Sequence, residues 1–250
     1  MITRAIKRLI YRTLSLKGYL RLLQRTYFLL YRFGLLRFSH EFNCHYYVRR
    51  LIRSGDTVID IGANLGYYSI LFARWVGKTG KVYSVEPVRI YNELFMEKAR
   101  KYPNIVLQPY ALGPEEKKIE MVFTPENGYF NTGLPHVYDE HSDGAIEGQQ
   151  FRFEADMKRP SLLFADLPHI NYIKCDVEGF EYQILSEMQA VILRHKPIIQ
   201  VEVWEENEEK VKNLLLAAGY TPFKVQNGQL VKQDKGAATI DGDYIFIPDM

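Results

Sequence analysis

Residues 56–66 read Asp-Thr-Val-Ile-Asp-Ile-Gly-Ala-Asn-Leu-Gly, and they restrict the fold more tightly than any other stretch. Val58, Ile59 and Ile61 predict a buried strand that carries the Asp60 carboxylate near its end. Gly62 permits a tight turn, Asn64 tolerates unusual dihedrals, and Gly66 lets a following helix pack closely. That helix is expected over residues 67–75, with its free N–H groups beside the turn. Twenty residues beyond Gly66, the run Val82-Tyr83-Ser84-Val85 ends in Glu86. An acid at the tip of a second strand is placed to hold both hydroxyls of a ribose.

Dinucleotide enzymes share that acid, but their turn reads G-x-G-x-x-G and sets a helix N-terminus on a pyrophosphate. Here the pattern is D-x-G-x-N-x-G, without the middle glycine. It suits a nucleoside that carries no phosphate, and S-adenosylmethionine is the commonest of these. Its amino-acid end needs backbone amides and small polar groups, which Gly62, Ala63, Asn64 and Ser69 would supply. Tyr67 opens the helix, and Ala111, in Tyr110-Ala111-Leu112, follows a third strand where an adenine ring would lie. Asp60, Gly66 and Glu86 complete the candidate cofactor set.

Charge divides the chain. Residues 1–40 hold Arg4, Lys7, Arg8, Arg12, Lys17, Arg21, Arg25, Arg32 and Arg37 and no acid, which leaves 23 basic against 30 acidic residues in the remainder. An acidic body argues against nucleic acid as a partner. The division predicts a basic amphipathic helical extension over 1–40 and a catalytic domain over 41–250, long enough for a full α/β core. Within the extension Leu16, Leu20, Leu23, Tyr27 and Leu30 share one helical face, with Lys17, Arg21, Arg25 and Arg32 opposite. That apolar face fits peripheral contact with an anionic membrane equally well as packing on the body or on a second copy through residues 1–38. No apolar run reaches membrane-spanning length, and the start lacks a signal peptide's apolar region and cleavage site. Cys44 and Cys175 fall in no metal or disulfide spacing, so a reducing, cytoplasmic setting is expected, with the inner membrane surface as the peripheral site. Cys175 reads as a small core residue. The scattered histidines include His136 and His141 in a polar loop, read as surface residues rather than metal ligands.

Strand and helix alternate through the rest, which predicts a doubly wound, Rossmann-like, mostly parallel sheet. A helix is expected over 92–102, a strand over 105–107 and an extra strand over 119–123. The polar stretch 125–150 reads as a substrate lid or, equally, as a surface insertion. A fourth strand, 169–176, ends in Asp176 and turns through Val177-Glu178-Gly179-Phe180-Glu181 into a helix; a fifth covers 197–203. A helix over 205–218 and closing strands over 221–225 and 243–247, the last antiparallel, finish the chain.

Asp60, Glu86, Asp176 and Glu202 all fall near strand carboxyl ends, where ligands of such sheets bind. Four carboxylates in one cleft are costly unless they meet hydroxyls, a metal or a cation. Methyl transfer to a hydroxyl needs a general base or a metal that lowers the hydroxyl pKa. Asp176 is the leading candidate for either role, with Mg as the divalent ion in the second. Lys174, Glu178 and Glu202 are its candidate catalytic neighbours, Glu202 paired with Lys174. The alternative for Asp176 is a cap on the following helix, and for Glu181 a contribution to its dipole.

The segments D-T-V-I-D-I-G-A-N-L-G-Y-Y-S, Y-S-V-E-P, Y-A-L-G, N-T-G at Asn131 to Gly133, and I-K-C-D-V-E-G-F-E resemble the FkbM family of methyltransferases over about residues 55–205. The resemblance implies a class I methyltransferase fold, S-adenosylmethionine held by Asp60, Gly62, Asn64, Gly66 and Glu86, and O-methylation of a hydroxyl, often on a sugar. The expected acceptor is a sugar, glycan or other small molecule, with a lipid-linked form included. A lipid headgroup, a protein side chain and a nucleoside-binding protein without chemistry are the alternatives. Cys175 stands where a second aliphatic residue is more usual, and the first 40 residues lie outside the resemblance.

Overall fold

The computed structural model describes residues 4–39, 42–123, 135–138, 151–204, 206–234 and 242–249. Its strands are β1 Thr57–Ile61, β2 Lys81–Val85, β3 Ile105–Gln108, β4 Ala111–Leu112, β5 Lys117–Phe123, β6 His136–Val137, β7 Phe151–Lys158, β8 Tyr172–Cys175, β9 Ile198–Val203, β10 Tyr220–Gln226, β11 Gln229–Lys232 and β12 Gly242–Pro248. The main sheet has the order β11-β10-β12-β9-β8-β1-β2-β3. Strands β3, β2, β1, β8 and β9 run parallel, and β12, β10 and β11 are antiparallel. The order turns back between β1 and β8, so the crevice at a doubly wound sheet's switch point opens over their carboxyl ends.

Alternation along the central strands assigns each face. Ile59, Ile61, Ile173, Cys175, Ile199 and Val201 pack with the helices Glu181–Glu187, Gln189–His195 and Glu206–Ala217. Val58, Val82 and Tyr172 face the other side, toward helix Tyr67–Val76. Because side chains alternate with period two, Asp60 and Lys174 share that second face. They are also register partners on adjacent strands. The fourth expected strand starts later than read, at Tyr172, and the helix expected over 92–102 covers Arg89–Ala99. Strand β11 was not anticipated. It pairs with β10 across Asn227-Gly228, both at positive φ (50° and 73°), the dipeptide that two-residue hairpins favour. A second sheet, β4-β7-β5-β6, stands beside the crevice. Of the expected 125–150 loop only 135–138 is described; the remainder, with the N-T-G segment and His141, lies outside the described residues.

Two N-terminal helices, α1 Arg4–Thr13 and α2 Leu16–Arg32, precede this core. Ser15 caps α2 by accepting from the Gly18 amide (3.2 Å), and Gly34 ends the unit at φ 71°. The apolar face of α2 packs on the body. Tyr19 and Leu20 join Leu65, Tyr91, Leu94 and Phe123, while Tyr27 and Phe28 join Ala63, Ile70 and Phe95. Leu16, Leu23 and Leu30 are partly buried at the same seam. Buried Gln24 donates to the Leu65 and Leu94 carbonyls at 2.8 and 3.3 Å. Lys17 and Arg21, on the opposite side of the helix, pair with Glu93 and Glu97 of helix Arg89–Ala99 at 2.7 and 2.8 Å. No helix among the described residues is long and apolar enough to cross a membrane.

Candidate functional site

The glycine turn is built by contacts that a Cβ would abolish. Gly62 has φ 79°, and a Cβ there would lie 1.8 Å from the Asp176 carbonyl oxygen. The two strand ends can meet only because residue 62 lacks a side chain. Gly66 (φ 78°) precedes helix Tyr67–Val76, and a Cβ would stand 2.2 Å from the Phe95 ring. Asn64 adopts φ 53°, and its side-chain oxygen accepts from the Leu65 amide at 2.8 Å. The turn's amides serve the fold itself: Gly62 and Ala63 donate to the Val85 carbonyl at 3.0 and 2.9 Å, and Asn64 donates to Glu86 at 2.8 Å. The expectation that these amides would face a ligand is therefore corrected. They tie β1 to β2, and the glycines' contribution is close approach.

Glu86 is buried at the tip of β2. One carboxylate oxygen accepts from Asn64 N and the other from Val88 N, both at 2.8 Å. Burial raises its pKa from 4.5 to about 7, against the lowering effect of these two amides. Each oxygen keeps a second lone pair for a hydroxyl donor. Asp60 is fully buried; its Oδ2 accepts from Ser69 Oγ, which in turn accepts from Ser84 Oγ (2.8 Å). Asp60 Oδ1 has no partner among the described residues. Burial raises the Asp60 pKa, while Lys174 lowers it.

A cavity of about 590 Å³ opens beside this turn. Asp60, Gly62, Ala63, Asn64 and Glu86 line it, as do Tyr67 and Ala111. Gly66 and Ser69 stand outside the lining, the first against Phe95 and the second holding Asp60. The four expected catalytic side chains also meet here: Lys174, Asp176, Glu178 and Glu202. Lys174 Nζ donates to Asp176 Oδ2 at 2.7 Å, with the lysine 3% and the aspartate 30% exposed. Burial alone would lower the lysine pKa, but Asp176 and Asp60 outweigh it and the net shift is upward. Glu202 does not pair with Lys174 as expected. It hydrogen-bonds Asp176, and burial followed by the Asp176 and Asp243 charges moves its pKa well up. Glu178, at φ 56°, is exposed to the cavity rather than packed in protein. Its desolvating walls, then Asp176 and Glu181, raise it from 4.5 to about 7.

Asp176 does not cap the next helix: Phe180 occupies the N-cap position and no side chain caps there. Glu181 has the structural role, accepting from Val177 N, Gly179 N and Asn207 Nδ2 at 3.0, 3.2 and 2.6 Å. Among the described residues no three His, Cys, Asp or Glu side chains form a group able to hold a metal. Asp176 is instead engaged by Lys174 and Glu202, so the residues present do not fit the magnesium alternative.

Three contributors escaped the sequence reading. His45 lines the cavity beside Tyr27 and Tyr68. Its Nδ1 lies 2.6 Å from Tyr27 Oη, and its ring is 4.1 Å from that of Tyr68. Burial and then Lys174 lower its pKa to about 3. The imidazole is therefore neutral, with one ring nitrogen donating and the other accepting. Asp243, on the last strand, accepts from Gln200 Nε2 at 2.8 Å and adds to the acidic field. His136, read as a surface residue, sits on β6 and lines the cavity. Spacing in the sequence signals none of the three, because each reaches the site by tertiary packing.

Replacing Lys174 by Met removes the cation that Asp60, Asp176 and Asp243 share. The variant is expected to lose about 3 kcal/mol of stability, the lower end for breaking a buried pair because Asp176 is partly solvated. Urea unfolding should show a lower midpoint at unchanged slope.

The model for the methyltransferase FkbM domain matches residues 60–222. A methyltransferase FkbM from Methylobacillus flagellatus KT superposes with a TM-score of 0.53 at 18% identity, covering 83% of this chain and 48% of that one. The chain thus spans about half the length of that protein. Precorrin-6y C5,15-methyltransferase from Geobacter metallireducens GS-15 gives a TM-score of 0.45 at 14% identity, covering 82% and 86%. Aeropyrum pernix fibrillarin, solved with S-adenosyl-L-methionine, gives 0.45 at 13%, covering 78% and 67%. No curated protein sequence matches the chain. With the family model spanning well over half of its length and a class I methyltransferase sheet beneath it, the chain belongs to the methyltransferase FkbM family.

Proposed function

We propose that the protein transfers a methyl group from S-adenosylmethionine to a hydroxyl, the acceptor being a sugar or glycan, with lipid-linked forms included. The observation that carries this reading is the Lys174–Asp176 pair, a partly exposed carboxylate on the wall of the cavity that contains the nucleoside turn. Glu86 would hold the ribose hydroxyls, and the orphaned Oδ1 of Asp60 awaits a donor such as the ligand's amino end. Tyr110 and Ala111 would flank the base. When bound, the sulfonium supplies an electrophilic methyl carbon. The chain must orient the acceptor and remove its proton, since little new charge develops in the displacement.

Asp176 is the base in this scheme. Lys174 donates to it at 2.7 Å and orients it, while Glu202, whose pKa is raised by burial and the neighbouring Asp176 charge, hydrogen-bonds it as well. Glu178 and the neutral His45 offer further hydrogen bonds to neighbouring hydroxyls. Aromatic walls from Tyr27, Phe42 and Tyr68 provide flat apolar surfaces of the kind that cover a sugar ring. Incubation with methyl-labelled donor and a panel of reducing sugars, glycans and glycolipids tests the reading. The expected product is a base-stable methyl ether; N- or S-methylation, or donor binding without transfer to any hydroxyl, overturns it.

Glu86→Gln should weaken S-adenosylmethionine binding by about 1.5–3 kcal/mol, the value of hydrogen bonds to a charged acceptor. Its pH behaviour follows from the raised pKa. The folded state favours protonated Glu86, so its contribution to stability is present below pH 4.5 and is lost as pH rises through about 7. Ribose hydroxyls prefer the anion, so wild-type affinity should rise from about pH 6 to about pH 8. Calorimetry should find that rise reduced in Glu86→Gln; an equal rise in both would assign it to another group.

A further inference from the structure

Helix α2 carries a second stripe, opposite the face that packs on the body. Leu22, Arg25, Leu29, Arg32 and Phe33 lie within about a 100° arc at helical spacing, and all are exposed. The short turn Leu35–Phe38 extends it with Leu35 and Phe38. These apolar side chains are unusually open: Leu29 is 55% exposed, Phe33 67% and Phe38 89%. Arg25 and Arg32 have no carboxylate within ion-pair distance among the described residues, whereas Lys17 and Arg21 are held by Glu93 and Glu97. Large exposed apolar groups interleaved with unpaired arginines are what an interfacial helix presents to a charged bilayer. The apolar groups enter the acyl boundary and the guanidinium groups stay at the phosphates.

We propose that this stripe, residues 22 to 38, docks the protein on the surface of a bilayer containing anionic phospholipid. The membrane face is thus the reverse of the one that hydrophobic periodicity alone selects, since Leu20, Leu23, Tyr27 and Leu30 are turned toward the body and cavity. Charge complementarity selects the occupant. A second copy approaching through the same stripe would set arginine against arginine, because residues 1–40 contain no acid. A negatively charged lipid surface meets both halves of the pattern. The proposal does not depend on the identity of the methyl acceptor.

The test uses the full chain and extruded vesicles of phosphatidylcholine, with or without about one third phosphatidylglycerol. Binding is expected only to the phosphatidylglycerol vesicles, weakening as salt rises. Arg25→Gln with Arg32→Gln should bind about 25-fold less tightly, about fivefold per arginine. Phe33→Ala with Phe38→Ala should also lose affinity, while both variants keep the parent's melting temperature because the altered side chains are exposed. Equal binding to neutral vesicles, or unchanged binding by the variants, overturns the proposal. So does a dimer in sedimentation velocity that these variants dissociate, which would make the stripe a contact between copies. Displacement of vesicles by an oligonucleotide at equal charge concentration would assign the arginines to nucleic acid and overturn it as well.

Discussion

Asp176→Asn is expected to lower turnover by roughly 10²–10⁴, the range for losing a positioned general base, while leaving donor binding intact. The substitution preserves shape and removes the charge that Lys174 holds at 2.7 Å. Asn cannot accept the acceptor's proton, and the remaining carboxylates are poorly placed to replace it. Glu202 has its pKa raised by burial and is hydrogen-bonded to Asp176, and Glu178, raised to about 7, lies at the open side of the cavity. Single-turnover methyl transfer, compared with calorimetric binding of S-adenosylmethionine, separates the two effects. Turnover within about tenfold of wild type would remove Asp176 from the base role, and parallel loss of donor affinity would make it a binding residue.

Deleting residues 1–38 is expected to unfold the protein rather than release an independent domain. The deletion removes Tyr19 and Leu20, which are 1% and 0% exposed, together with Tyr27 and Phe28 at 8% each. At about 1.5–3 kcal/mol for each buried side chain, the loss is at least about 6 kcal/mol. That is comparable to the whole stability of a typical domain, about 5–15 kcal/mol. It also exposes Leu65, Leu94 and Phe95, and strips Tyr27 from His45. The truncated chain should lack a cooperative thermal transition and bind a dye specific for exposed apolar surface. A cooperative transition within a few degrees of the full chain would show that the extension is dispensable. Failure of this prediction would leave the vesicle experiment unaffected, since that experiment uses the intact chain.

Local pattern carried a large part of the architecture. The apolar runs that became β1, β8 and β9 follow from their own residues, because central parallel strands are buried on both faces and read as continuous hydrophobic segments. The turn at Gly62 to Gly66 was equally legible, since positive φ and close approach leave a mark on residue type. Asp60, Glu86, Asp176 and Glu202 could be placed at strand ends, and the crossover rule for parallel strands brought those ends together. The hairpin at Asn227-Gly228 went unread although the dipeptide itself favours one, because the strand after it is only four residues long.

Tertiary structure alone decided the rest. Helical periodicity identifies an apolar face but not what it meets, so α2 read equally as a membrane helix and as a piece of core. Only the packing of Tyr19, Leu20, Tyr27 and Phe28 into the body assigned it. Which amides remain free is a property of the closed turn, and here Val85 and Glu86 take them. The partner of a buried charge is likewise undetermined by spacing: Lys174 had several carboxylates in prospect, and register with Asp60 and the bend after β8 selected Asp176. His45 and His136 line the cavity and Asp243 stands behind it on Gln200; the three come from segments far apart in the chain, and nothing in a one-dimensional pattern brings them together. Sequence determines local conformation through sterics and periodicity, whereas a site assembled across about 200 residues of separation exists only once long-range burial has fixed every wall.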